Sequence, residues 1–161
     1  MNQPGWMQTY PSGGSYTIVL AAGKISKKDN FGNFKLGTIS GMKFNDLNGN
    51  GRKDNNELGL LGWTITLTKL HSSFATTTVT DGSGNYSFTN LGPGTYQIRE
   101  VQQTGWIQTT NNPPNVTVQS GTVSKNDNFG NHLGPVRKGE NRDGSGLTNG
   151  YNFGFGQGNN H

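Results

Sequence analysis

The sequence has no cysteine and few apolar residues. No disulfide can form, so the fold has to be held together by other means. Apolar residues make up only 29% of the 161 residues, against the roughly 45–50% usual in soluble domains when glycine is included in the count. The 26 glycines narrow this gap, but they favour turns more than a core. We therefore expect a thin core, and an ion that binds only the folded state would stabilise it.

Long apolar runs and a strong charge bias are also missing. No stretch approaches the roughly 18 apolar residues of a transmembrane helix, and Met1–Gly5 shows no basic-then-apolar signal pattern. The net charge of +4 arises from 13 basic and 9 acidic residues, without a recognition-helix or RNA-binding motif. We expect no membrane insertion and no nucleic-acid partner. His71, His132 and His161 share no motif with a nucleophile, so we expect no enzyme.

The segment from Asp46 to Glu57 places oxygen-bearing side chains at the spacing of a calcium-binding EF-hand loop. Gly51 stands where that loop turns sharply. The predicted calcium ligands are Asp46, Asn48, Asn50, Arg52 through its carbonyl, Asp54 and Glu57. An ordinary turn rich in Asp, Asn and Gly is the competing interpretation. Because two ligands are neutral amides, we expect a dissociation constant of about 10⁻⁴ to 10⁻³ M.

The flanks of this loop predict strands rather than the two helices of an EF-hand. Glycines and β-branched residues precede it in 37–44, and glycines follow it in 58–62. Trp63, Ile65 and Leu67 then alternate with threonines, and further short strands follow between turns at 81–84 and 91–94. The pattern predicts an all-β protein, an antiparallel β-sandwich of the prealbumin-like or Ig-like type with an EF-hand-like calcium loop. Calcium would then be a structural staple and not a switch.

An internal repeat divides the chain. Gly5–Thr9 recurs as Gly105–Thr109, and Lys24–Asn33 recurs as Thr122–Asn131, at offsets of 100 and 98 residues. We therefore predict a complete module at 37–131. Residues 1–34 would be the closing strands of a preceding or neighbouring module, and 132–161 a Gly/Asn-rich tail or linker. Strands are expected to carry Tyr16, Ile18, Leu20 and Ile25 in the N-terminal part.

The segments 37–57, 59–67, 80–88 and 91–96, together with the closing Asp127–Gly130, resemble the B-like domains of serine-aspartate-repeat surface proteins. The resemblance implies a Cna B-type sandwich that occurs in tandem in prokaryotic surface proteins, is stiffened by calcium and serves as a stalk or spacer. It also implies the ligand roles of the loop residues named above. The chain shows neither a wall-sorting motif nor a serine-aspartate tract.

Related sandwiches form a lysine-to-asparagine isopeptide bond assisted by a buried glutamate. Glu100 follows Tyr96 and Ile98 at spacing two, so it should point to the core. Lys43 and either Asn126 or Asn128 are the candidate partners, with Lys43 facing inward only if Phe44 does not. Weaker candidates are calcium at Asp81 or, at module junctions, at Asp29 and Asp127, where turn formation is a sufficient explanation.

Three functions remain open. The first is a calcium-stabilised structural module of an extracellular, cell-surface stalk or filament. Its partners would be like modules or copies of itself, joined head to tail by strand complementation. The second is an adhesin or carbohydrate-binding module with a host or matrix ligand. The third is a self-crosslinking stalk domain.

Overall fold

The computed structural model describes residues 3–135. These residues form eleven β-strands and no helix, so none of them belongs to a helix that could span a membrane. From residue 136 onward the predicted tail, with His161, lies outside the described residues. The strands are β1 Trp6–Tyr10, β2 Gly32–Lys35, β3 Gly37–Asn45, β4 Thr64–Lys69, β5 Ala75–Val79, β6 Asn85–Leu91, β7 Gly94–Glu100, β8 Trp106–Gln108, β9 Val116–Val118, β10 Val123–Ser124 and β11 Phe129–Leu133.

The strands of the module form two sheets that share one core. One sheet has the order β10-β3-β11-β8, with β6 on the other side of β3, and the second has the order β5-β4-β7-β9. Alternating residues of both sheets meet inside, as the period of two predicted for the middle strands requires. The buried cluster consists of Ile39, Ile65, Leu67, Tyr86, Phe88, Leu91, Tyr96, Ile98, Val118 and Phe129. The all-β sandwich is thereby confirmed.

The first and last strands of the module lie side by side and run parallel. Phe129 of β11 pairs with Lys43 of β3, and Asn131 pairs with Asn45. The short β10 also runs parallel to β3, whereas β6, on the other side of β3, is antiparallel. The sequence predicted an antiparallel sandwich, and these two parallel pairings depart from it. They join segments that are distant in the chain, so no turn motif could have indicated their direction.

Residues 3–36 form a separate two-stranded sheet, in which β1 pairs with β2 in antiparallel register. The strands expected around Tyr16, Ile18, Leu20 and Ile25 are absent, because residues 11–31 contain no strand. The corresponding strands of the module, β9 and β10, pair with β7 and β3. The described N-terminal residues offer no such partners, and this is the physical reason why the prediction was wrong.

The last strand of the module extends to Leu133, two residues past the predicted end of the module. His132 and Leu133 continue the pairing with β8, opposite Ile107 and Trp106. The Gly/Asn-rich composition that follows gave no indication that the strand would continue this far.

Candidate crosslinking and calcium sites

Three polar side chains from three different strands meet inside the sandwich. The Lys43 ammonium nitrogen, Nζ, lies 2.7 Å from Oε2 of Glu100 and also donates to Oδ1 of Asn131. The amide nitrogen of Asn131 donates in turn to Oε1 of Glu100, at 2.8 Å. The side chains of Lys43 and Glu100 are 0% and 2% exposed, and Asn131 is fully buried. We call Lys43, Glu100 and Asn131 the buried triad.

The inward positions of Glu100 and Lys43 each have a local explanation. Glu100 follows Tyr96 and Ile98 on the inward face of β7, as its spacing predicted. In β3 both Lys43 and Phe44 are buried, which corrects the expectation that only one of them could face inward. Phe44 is accommodated by Gly130, because a Cβ atom there would lie 2.5 Å from the Cζ atom of the Phe44 ring.

The surroundings of the lysine are apolar. Nζ of Lys43 lies 4.1 Å from the centre of the Trp63 ring, which makes an edge contact with Trp106. Burial lowers the pKa of Lys43 to about 8, although the hydrogen bond and the charge of Glu100 act in the opposite direction. A buried lysine with this pKa has about a tenth of its amine in the neutral, nucleophilic form at pH 7, far more than a lysine with the ordinary pKa.

The asparagine in the triad is not one of the two that the sequence singled out. Asn126 is exposed, and Oδ1 of Asn128 accepts a hydrogen bond from the backbone amide of Met42 at 2.9 Å. The period of two would have identified Asn131, because it follows the core residue Phe129 at spacing two. The expectation of Asn126 or Asn128 as the partner of Lys43 is therefore replaced by Asn131.

The predicted calcium loop connects β3 to β4 and brings its polar side chains together. The carboxylate oxygen Oδ2 of Asp54 accepts hydrogen bonds from the side-chain amides of Asn48 and Asn50, at 2.8 and 2.9 Å. Oε1 of Glu57 accepts from the backbone amide of Leu47, and Oε2 accepts from that of Asp54. Glu57 therefore reaches back across the loop and holds its two ends together.

Asp46 is the buried end of this loop, with 0% exposure. Burial acts to raise the pKa of its carboxyl, but hydrogen bonds from Thr109 and from the backbone amides of residues 49–51 outweigh burial and lower it. Its own amide donates to the carbonyl oxygen of Asn131 at 2.9 Å. The loop and the buried triad are therefore direct neighbours in the structure.

The residue types of the loop fit calcium. Within residues 3–135 no three side chains of Asp, Glu or His form a ready metal cluster, so any calcium site here has to combine carboxylates with amides and a carbonyl. The loop has this composition, with the Asp46 and Glu57 carboxylates buried at its base. Turning the amides of Asn48 and Asn50 about their last bond would present their oxygens, since the two amide atoms have nearly the same shape.

The weaker candidates have structural roles. Oδ1 of Asp81 accepts hydrogen bonds from the backbone amides of Ser83 and Asn85, which explains its place in the hairpin turn. Asp127 accepts from the hydroxyl of Ser124 at 2.9 Å, and Asp29 accepts from Ser26 in the same way. Each aspartate fastens its own turn, and the predictions of calcium at these positions stay predictions.

The fold and its two polar sites define a β-sandwich module whose first and last strands are neighbours. The chain belongs to the SdrD B-like domain family, which matches it over residues 37–143. Membership of this family agrees with the extracellular, cell-surface location that the sequence predicted.

Three curated relatives show how far the similarity reaches. Colossin-A of Dictyostelium discoideum is 38% identical over 91 residues, which is 56% of this chain and 1% of that protein. Serine-aspartate repeat-containing protein I of Staphylococcus saprophyticus is 32% identical over 60% of this chain and 5% of its own length. Serine-aspartate repeat-containing protein D of Staphylococcus aureus strain Newman is 30% identical over 62% of this chain and 8% of its own length. The chain thus spans only a small part of each relative.

Solved structures with a similar fold include two pilins. GBS52, the minor pilin of Streptococcus agalactiae, is 18% identical with a TM-score of 0.44, over 68% of this chain and 49% of that one. The full-length major pilin SpaD of Corynebacterium diphtheriae is 16% identical with a TM-score of 0.39, over 58% of this chain and 32% of that one. Both similarities are distant.

Proposed function

We propose that this chain is a structural module of an extracellular stalk or filament, and that an isopeptide bond between Lys43 and Asn131 fastens its first strand to its last. The observation that supports this most directly is the buried triad, in which Glu100 contacts the nitrogen atoms of both prospective partners. A lysine and a glutamate are costly to bury.

The geometry allows a balanced reaction. The neutral Nζ of Lys43 attacks Cγ of Asn131, and an N–C bond forms between them. Glu100 passes a proton from Nζ to the amide nitrogen of Asn131, and the bond between Cγ and that nitrogen breaks. Ammonia leaves, and Glu100 ends in the state in which it began. Because Glu100 contacts both nitrogens in the starting structure, the proton moves through one carboxyl group.

Calcium in the loop is the second part of the proposal. Asp46, Asn48, Asn50, Asp54 and Glu57 would supply side-chain oxygens, and Arg52 its carbonyl oxygen. When bound, the ion would neutralise the carboxylates of a loop that joins the two sheets. The loop, which is rich in small polar residues, would then be held in one conformation at the calcium concentrations found outside cells.

The intact mass of the full chain tests the crosslink. We expect a mass lower than the sequence mass by one ammonia, and the sequence mass itself in Lys43→Met and Glu100→Gln. Lys125→Met removes an exposed lysine and serves as the matched control, which should still lose ammonia. Asn126→Gly should also lose it, because the glycine tolerates the positive φ of 64° at this position. An unshifted mass of the folded parent chain would refute the crosslink.

Assembly with like modules belongs to the same proposal. Binding of a host or matrix ligand stays a prediction, and no single feature of the described surface favours one ligand class. An array of glycans and matrix proteins, probed with and without calcium, would detect such a ligand. Reproducible calcium-dependent binding would make the module an adhesin as well as a spacer.

A further inference from the structure

The N-terminal sheet repeats the local geometry of the last strands of the module. Asn33 of β2 faces Gln8 of β1 in the same register in which Asn131 of β11 faces Gln108 of β8. The amide of Leu36 donates to the carbonyl of Gly5 at 2.8 Å, as the amide of Gly134 donates to Gly105 at 2.8 Å. We call residues 3–36 the N-terminal copy, residues 104–134 the closing half and residues 37–103 the opening half.

The turns correspond as well. Gly5 and Gly105 have φ angles of 78° and 80°, and Lys28 and Asn126 have φ angles of 70° and 64°. The Ser26–Asp29 hydrogen bond matches the Ser124–Asp127 bond. A non-glycine residue with positive φ is uncommon. The N-terminal copy is therefore a closing half in its conformation as well as in its sequence.

What differs is the covering of the inward-facing side chains. Phe129 is 0% exposed and Val118 is 2% exposed, whereas their counterparts Phe31 and Leu20 are 59% and 58% exposed. Asn131 is fully buried, but Asn33 is exposed. In the module these residues are covered by the opening half, with β3 beside β11 and β7 beside β9. The molecule itself thus shows which kind of segment fits the uncovered face.

We propose that Asn33 is a second crosslinking asparagine, whose lysine and glutamate come from an opening half joined ahead of Gln3. Up to Asn33, the β2 edge that does not face β1 would take a parallel strand carrying the lysine, as the corresponding edge of β11 takes β3. Beyond it, the backbone of Lys35 is already bonded to Ser120 and Gly121. Trp6 donates its amide to Gln3 at 3.1 Å, as Trp106 does to Gln103 at 3.2 Å. The chain therefore enters the N-terminal copy from the direction in which the opening half enters the closing half.

The number of halves in the chain excludes a second copy of the chain as the segment that covers this face. Residues 3–135 contain two closing halves and one opening half. If one copy lent its opening half to another, its own closing half would be left uncovered, so no closed assembly of copies satisfies every face. The occupant is therefore an additional opening half, with an inward lysine in its first strand and an inward glutamate in a later one.

The proposal rests on the crosslink proposed for Lys43 and Asn131, and the experiment separates the two. A second copy of residues 37–103 is fused directly to residue 4 of the chain, so that residue 103 of the copy takes the place of residue 3. This fusion creates a complete preceding module in the register of the repeat. We expect this extended chain to lose two ammonia molecules and the parent chain one. Asn33→Ala in the extended chain should reduce the loss to one. Asn30→Ala, the matched control, should leave the loss at two.

Each pattern of masses decides the question. Loss of one ammonia by both the extended chain and its Asn33→Ala variant overturns the role of Asn33 and leaves the first crosslink standing. An unshifted mass in both chains overturns both proposals. An unshifted parent, together with a single loss from the extended chain that Asn33→Ala abolishes, supports Asn33 and overturns the first crosslink.

A second measurement reports on the covering of the face itself. Lys24, Lys27, Lys28 and Lys35 are exposed in the N-terminal copy, so trypsin should cut the parent chain there. In the extended chain these sites should become resistant together, because strands equivalent to β9 and β10 would then order the segment that carries most of them, although the side chains stay exposed, as that of Lys125 is. Unchanged cleavage at all four sites would contradict completion of the module, whatever the masses show.

Discussion

The two polar sites of the module are neighbours, yet they are built in opposite ways. The loop draws all its predicted ligands from one continuous stretch, Asp46 to Glu57, whereas the buried triad joins residues as far apart as Lys43 and Asn131. Most of the loop's polar side chains face solvent, and those of the triad face the core. Of the two proposed fastenings, the loop is therefore the reversible one and the triad the permanent one.

The largest effect should follow from loss of the crosslink. In Lys43→Met the isopeptide bond cannot form, and the unfolded chain regains the freedom of a closed loop of 88 residues. By analogy with a disulfide of this span, we expect the free energy of unfolding to fall by about 4.6 kcal/mol. Denaturant unfolding measures this loss, with Lys125→Met as the control. A change under about 1 kcal/mol would contradict a covalent fastening.

Removal of calcium should have the next largest effect, and a reversible one. At calcium concentrations of about 10 to 100 times the dissociation constant, binding contributes roughly 1 to 3 kcal/mol. Chelation should therefore lower the melting temperature by about 5 to 15 °C, and added calcium should restore it. Glu57→Gln should abolish most of the response. Asp81→Asn, which removes one carboxylate elsewhere, should respond like the parent, and an equal loss in both variants would contradict the loop site.

In a variant that cannot crosslink, the protonation of Lys43 should make the free energy of unfolding depend on pH, unlike in the crosslinked chain. Asn131→Ala leaves Lys43 buried beside Glu100 with a pKa of about 8, below the ordinary 10.5. Between these values the unfolded state holds a proton that the folded state has released, so stability rises with pH. We expect a gain of about 2 kcal/mol from pH 8 to 10. Above pH 10 the raised pKa of buried Tyr86 acts in the opposite direction. A flat profile from pH 8 to 10 would show that the lysine is solvated.

The smallest effect is expected at Asn128, beside the triad but outside it. Asn128→Ala removes the acceptor for the amide of Met42 and should cost about 1 kcal/mol of unfolding free energy. The crosslink should still form, so ammonia should still be lost. An unshifted mass in this variant, with Asn131 intact, would restore Asn128 as the reacting residue.

These two sites also show what the sequence could reveal. The loop could be recognised because its ligand spacing lies within one segment, and its calcium stays a prediction. In the triad, strand parity predicted the inward Glu100 correctly and indicated Lys43 only conditionally. Asn131 was missed although its spacing from Phe129 places it inward, because its contact with Lys43 depends on the partner strand and its direction. That direction is parallel and depends on a contact between the two ends of the module.

The N-terminal copy shows the same limit. Its sequence matches segments that form β9 and β10 in the module, yet only β1 and β2 form there. The antiparallel pairing of β1 with β2 lies within the copy and needs no other segment. Strands around Ile18 or Ile25 would need neighbours equivalent to β7 and β3, which the described residues do not provide. The turns and this one pairing therefore form within the copy, whereas strands that need a distant partner do not.

The adjacency of β3 and β11 has a mechanical consequence. When a rod of such modules is stretched, tension enters one module near Gly37 and leaves it near Leu133. A covalent bond between Lys43 and Asn131 would carry that tension directly from the entering strand to the leaving one. The 87 residues between them would stay slack, and the module could not extend before a covalent bond broke. Under force, the length of the module would be set by the short path through the bond. The role left to the surrounding sandwich would be to keep water away from the triad.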